Sequence, residues 1–184
     1  MKRIYLLLAL LPLFLITACD DDDLQPRPGE TPLETLNRLV PATQTGAGTF
    51  GCLVNGEVWI PEVDGPDSAI DALTGITNPN NLTITARKEP LSDNRNHNLV
   101  IGSVFEVEQP SPMKLFSKFR DRDVNDNCSA ILLDTTFLNF ITISKHDQEN
   151  QIISGTFECT MQEPECPEKT IEITEGRFDL IYRF

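Results

Sequence analysis

The chain has 184 residues, and its 28 acidic residues outnumber 15 Lys and Arg, for a formal net charge of −13. That balance argues against a nucleic-acid binder, since every phosphate contact needs a cation, and against a body that lies on an anionic membrane. Hydrophobic residues make up 40% of the chain, which excludes extended disorder and provides for one domain with a real core.

The N-terminus reads as an address. Lys2 and Arg3 precede an apolar stretch over residues 4–16, broken only by Pro12. A spanning helix needs about 20 apolar residues, so this run is short for a transmembrane segment and has the length of a signal-peptide core. It ends in Leu15-Ile16-Thr17-Ala18-Cys19, which resembles a lipobox. The resemblance implies cleavage after residue 18, acyl chains on Cys19 and attachment to the outer membrane through lipid. At about 0.8 kcal/mol per buried CH₂, two or three acyl chains hold a protein on a membrane durably. Asp20, Asp21, Asp22 and Asp23 follow; like charges in a row repel and stay solvated. An acidic run directly after a lipidated cysteine resembles the surface-export signals of Bacteroidota lipoproteins, which implies display on the cell surface, with the periplasmic face as the alternative.

Residues 19–47 read as an acidic tether and linker, with a short helix predicted over 32–39. Thr31-Pro32-Leu33-Glu34 fits a capping box with proline at the first helical position, and Leu33, Leu36 and Leu39 would form its apolar face. A single β domain is predicted over 48–184. Its opening, Phe50-Gly51-Cys52-Leu53-Val54-Asn55-Gly56-Glu57-Val58-Trp59, is a hairpin signature, because Asn-Gly supplies the two positive-φ positions of a type I′ turn. Residues 61–81 are rich in Gly, Pro, Asp and Asn and read as a long loop. Leu82-Thr83-Ile84-Thr85-Ala86 alternates as a half-buried strand does, and Leu99, Ile101, Phe105 and Val107 continue the pattern. Further strands are predicted over 113–119, 130–133, 137–143 and 152–161. Near the C-terminus Ile171 and Ile173 have the opposite parity to Phe178, Leu180, Tyr182 and Phe184, so a bulge or tight turn is expected at Glu175-Gly176. About eight or nine short strands with turn signals between them predict an all-β fold, an antiparallel sandwich or partly open barrel.

Apart from Cys19 the cysteines are Cys52, Cys128, Cys159 and Cys166. An even count in an oxidising compartment predicts two disulfides, here Cys52–Cys128 and Cys159–Cys166. Asp121, Asp123, Asn125 and Asn127 alternate as calcium ligands do, but the loop lacks the glycine and the distal glutamate of an EF-hand. A solvated loop is the simpler reading, and no metal or other cofactor is expected. His97 and His146 stand in polar or strand-end contexts with no nucleophile pattern nearby. Trp59, the only tryptophan, reads as core.

Three stretches carry a further resemblance: Pro41-Ala42-Thr43-Gln44-Thr45-Gly46 running into Thr49-Phe50-Gly51-Cys52-Leu53-Val54-Asn55-Gly56, then Ile153-Ser154-Gly155-Thr156-Phe157-Glu158, and Ile173-Thr174-Glu175-Gly176-Arg177-Phe178-Asp179. Together they resemble a family of uncharacterised Bacteroidota lipoproteins, over residues 41–184. The resemblance implies lineage, export and a β-rich domain, and assigns no catalytic residue. The sequence therefore points to a non-catalytic module that binds a glycan, peptide or protein through its loops, 61–81 and 121–127 foremost. The acidic surroundings of these loops favour a neutral or basic ligand, or a calcium-bridged one, over an anionic polymer. A small carboxylate-dependent hydrolase is the alternative.

Overall fold

A computed structural model describes residues 31–63, 66–89, 96–114, 117–121, 130–133, 139–163 and 166–184. The first element is α1 (Pro32–Asn37), and its capping box forms as the sequence predicts. The Thr31 hydroxyl accepts from the Glu34 N–H, and the Glu34 carboxylate accepts from the Thr31 N–H at 2.7 Å. The apolar face differs from the expected one. Leu33 is 67% exposed, whereas Thr35 and Leu39 are buried. Gly51 allows the segment after α1 to pack, since a Cβ there would lie 3.3 Å from Val40 and 3.6 Å from Leu39.

Twelve strands follow among the described residues: β1 (Thr49–Val54), β2 (Glu57–Trp59), β3 (Glu62–Val63), β4 (Ile70–Thr74), β5 (Asn81–Glu89), β6 (His97–Val104), β7 (Pro110–Pro112), β8 (Lys118–Asp121), β9 (Ala130–Leu133), β10 (Phe140–Asp147), β11 (Ile152–Glu163) and β12 (Cys166–Ile181). The hydrogen-bonded path runs β2-β1-β12-β11-β9-β8-β6-β5-β3, with β10 on β11, β7 on β10 and β4 on β5. Among the described strand pairings only the short β3–β5 one is parallel, beside two isolated parallel bridges. The strands form two antiparallel-rich layers around one core, with no closed barrel.

The hairpin between β1 and β2 turns at Asn55 (φ 51°) and Gly56 (φ 84°), both in the left-handed region. The expected parity slip is a bulge. The β11–β12 register breaks between Phe157 and Cys159, opposite Glu175, whose φ is 53°. Beside it the strands carry two reciprocal glycine–phenylalanine pairs, Gly155 with Phe178 and Gly176 with Phe157. A Cβ on Gly176 would come within 2.5 Å of the Phe157 carbonyl oxygen and 2.7 Å of its ring, and one on Gly155 within 2.3 Å of the Thr142 carbonyl oxygen. Each ring lies where a side chain would otherwise stand. The stretches Ile153–Glu158 and Ile173–Asp179 of the sequence are therefore packing devices.

Two expectations about loops and strands are corrected. The stretch 61–81 contains β3 and β4, and β4 pairs with β5 over five residues, from Ile70↔Ala86 to Thr74↔Leu82. Its buried positions are Ala72 and Thr74, too small and too polar to register as a hydrophobic alternation. The strand expected over 113–119 is divided: β7 lies earlier, Met113 makes only an isolated bridge to Ser103, and β8 begins at Lys118.

The core holds Phe50, Trp59, Phe105, Phe157, Phe178 and Tyr182 among aliphatic residues from both layers. Trp59 is 4% exposed and meets Phe119 edge to face at 6.2 Å, so it joins β2 to β8 and is core as expected.

Candidate functional site

Among the described residues the most strongly perturbed carboxylate is Asp179, on β12 and fully buried. It accepts hydrogen bonds from the Thr43 hydroxyl (2.6 Å), the Ser154 hydroxyl (2.7 Å), and the backbone N–H groups of Thr45 (2.8 Å), Gly46 (2.8 Å) and Ala47 (3.1 Å). The Thr45 hydroxyl adds a longer one at 3.3 Å. Burial acts to raise its pKa, but the donors outweigh that effect and hold the carboxyl well below the usual carboxylate range. A catalytic acid needs the opposite, a raised pKa and an open face. Asp179 is a clamp that ties residues 43–47 to the last long strand.

Both histidines are likewise engaged in packing. The indole N–H of Trp59 donates to Nδ1 of His97 at 3.3 Å, and the His97 ring leans on Phe119. Nε2 of His146 lies 3.2 Å from the Tyr182 hydroxyl, with Phe105 edge to face against the imidazole. Burial lowers the pKa of His146 while neighbouring Asp147 opposes it, and burial raises that of Tyr182. These contacts pack both imidazoles against the core.

The thiols of Cys52 and Cys159 are buried and free, so neither expected disulfide is formed here. Cys159 lies opposite Ile173, whereas Cys166 lies opposite Glu163, four positions further along β11. At about 3.3 Å per residue that separates the two Cα atoms by roughly 13 Å, well beyond the 4.4–6.8 Å that a bridge spans. Cys128 lies outside the described residues. Burial pushes the Cys159 thiol up to about 12, and burial with the nearby Cys159 pushes Cys52 higher still. Both behave as small apolar core residues.

Cys19, Asp20, Asp21, Asp22 and Asp23 lie outside the described residues, as do Asp123, Asn125 and Asn127. Asp121 is placed only by its backbone, at the end of β8. Among the described residues no group of His, Cys, Asp and Glu is arranged to hold a metal ion. A shallow, open cleft of about 400 Å³ lies where β4 and the end of β12 diverge, walled by Gly46, Ala47, Ser68, Ile70 and Ile181. No charged side chain lines it among the described residues.

The outward face of β4, β5, β6 and β8 is different. Leu82, Ile84, Ala86, Leu99, Ile101 and Phe119 point into the core, which turns their neighbours outward. The register then sets Arg87, Asn98 and Arg120 in one cross-strand row. Asp71, Thr85, Val100 and Lys118 form the next, and Thr83 follows beyond it on β5. Arg87 is steadied by the Ser68 carbonyl at 2.6 Å. Lys114 adds a cation by bonding Asn81, and Arg183 offsets the charge of Asp71 by pairing with it. Glu89, at the end of β5, is the remaining acid in these rows among the described residues. Lys118 and Arg120 have no ion-pair partner among the described residues. A chain of net charge −13 thus carries a locally cationic sheet face. The sequence signal was the alternation Lys118-Phe119-Arg120, but Arg87 joins it only through a register that the sequence does not show.

No protein-family model, no curated protein and no solved structure matches the chain.

Proposed function

We propose that this protein is a lipid-anchored export product whose β domain is a non-catalytic binding module. The observation that carries the reading is the contrast between two kinds of ionisable group. Asp179, His97 and His146 are held by packing and hydrogen bonds, whereas Lys118 and Arg120 stand half-exposed on a sheet face without ion-pair partners among the described residues. A rigid scaffold holds contact groups in fixed positions. Anchoring rests on the lipobox-like Leu15-Ile16-Thr17-Ala18-Cys19, and Asp20, Asp21, Asp22 and Asp23 would form the solvated spacer.

The test has two parts. Cys19→Ser should abolish acyl labelling and processing in cells, and a normally processed, unlabelled product would remove the anchor. Purified full chain should bind defined glycans or peptides on an array without consuming them. Turnover of any bound compound, lost on replacing a carboxylate, would replace the module with an enzyme.

A further inference from the structure

We propose that the outward face of β5, β6 and β8 binds an acidic polysaccharide, its cations taking the carboxylate or sulfate groups; the inference rests on the binding-module reading above. The rows described above place Arg87 and Arg120 two strands apart, about 10 Å at normal strand spacing, and Lys118 about 7 Å from Arg120 along β8. Between them stand Thr85 and Asn98, with Thr83 beyond; the threonine hydroxyls and the Asn98 amide N–H groups are offered to sugar hydroxyls, while Asn98 Oδ1 is buried. Arginine pairs bidentately with planar oxyanions, and lysine supplies a compact charge. An extended arrangement of cations and polar groups around Val100 suits a polymer better than a small molecule.

The composition of the face separates this partner from others. No aromatic side chain stands in these rows among the described residues, so nucleobases have nothing to stack on, and a protein partner lacks the aromatic anchors of a typical hot spot. The net charge of −13 does not prevent binding. Packed layers lie about 10 Å apart, and the Debye length at physiological salt is about 8 Å. Exposed charges that reach this face through solvent over more than that distance are largely screened. The sequence alone favoured a neutral or basic ligand because it showed the acidic surroundings of the loops and not the register that builds this face.

The experiment is affinity electrophoresis of the full chain through gels holding polygalacturonate, dextran sulfate, neutral dextran, polyglutamate or single-stranded DNA. Retardation is expected with the two acidic polysaccharides and is weakened by added salt. The double variant Lys118→Gln with Arg120→Gln should bind them at least tenfold more weakly, with an unchanged thermal transition. Equal retardation by polyglutamate or DNA would overturn the inference, as would a double variant that binds like the parent, or no retardation by either acidic polysaccharide. Binding to neutral dextran that the double variant loses would overturn the anionic partner yet leave the binding-module reading standing. Cleavage of polygalacturonate would instead overturn that reading.

Discussion

A carboxylate as deeply buried as Asp179 would ordinarily demand a cation. Here hydroxyls and main-chain N–H groups supply the compensation, from Thr43, Thr45, Gly46 and Ala47 on one side and Ser154 on the other. Asp179→Asn keeps the shape but replaces one acceptor oxygen by an amide that faces N–H donors. Such a change should cost about 2–4 kcal/mol, read from the midpoint of denaturant unfolding. A loss within 0.5 kcal/mol would mean that the clamp contributes little. The pH dependence follows from the lowered pKa. The unfolded carboxyl, near 3.9, takes up its proton before the folded one does. Stability from Asp179 is therefore complete above about pH 5 and is lost as pH falls below 4 toward the lowered folded value. The wild-type transition should drop more steeply with acid than that of Asp179→Asn. At the same scale, Cys52 and Cys159 are thiols whose reactive anion is suppressed by burial. Iodoacetamide should leave both unlabelled in the native protein and label both after unfolding without reductant, as resolved by peptide mass spectrometry. A need for reductant would show that they are in disulfides after all.

At the scale of elements, β11 and β12 dominate, and their meeting is fixed by two glycines that accept neighbouring rings. Gly176→Ala would force a methyl group into the Phe157 ring and carbonyl. The strands must then part or the ring must leave its rotamer, a strain of about 3 kcal/mol by the usual cost of overpacking. Chemical denaturation measures it directly, and a loss below 1 kcal/mol would show that the sheet relaxes freely there. These elements were legible in the sequence because their signals are local. Asn55-Gly56 requires a turn, and the parity change between Ile173 and Phe178 requires a bulge. The strand β4 was not legible, since Ala72 and Thr74 give no apolar contrast to their neighbours. The leucine face expected of α1 and the residues after it holds at Leu39 but not at Leu33, for a related reason. Which side of a two-turn helix is buried depends on what lies beneath it, and that surface, around Gly51, is set by the β1–β12 pairing.

For the molecule as a whole, the sequence placed the domain boundary at residue 48, treating the preceding segment as linker. The donors to Asp179 come from residues 43–47, more than a hundred positions away in the chain, and no local pattern announces such a pairing. The cationic face was hidden in the same way, since Arg87 and Arg120 become neighbours only through β6. In the folded molecule residues 31–48 belong to the domain. The helix α1 leads to the buried Leu39, Leu39 and Val40 pack over Gly51, and the 43–47 loop closes on Asp179. A chain beginning at Thr49 would keep every long strand but leave the Asp179 carboxylate with Ser154 as its remaining side-chain donor. Desolvated and underbonded, that charge must either draw in water or take up a proton, and each route sacrifices native stability. A chain beginning at Thr31 keeps the clamp and should melt within about 2 °C of the full chain. Loss of 3 kcal/mol or more in the shorter version should lower its transition by roughly 10 °C, on the usual scaling for a domain of this size. Parallel thermal scans of the two truncations decide the matter. Coincident transitions would return residues 31–48 to the linker and leave the clamp a decoration on an already stable sheet.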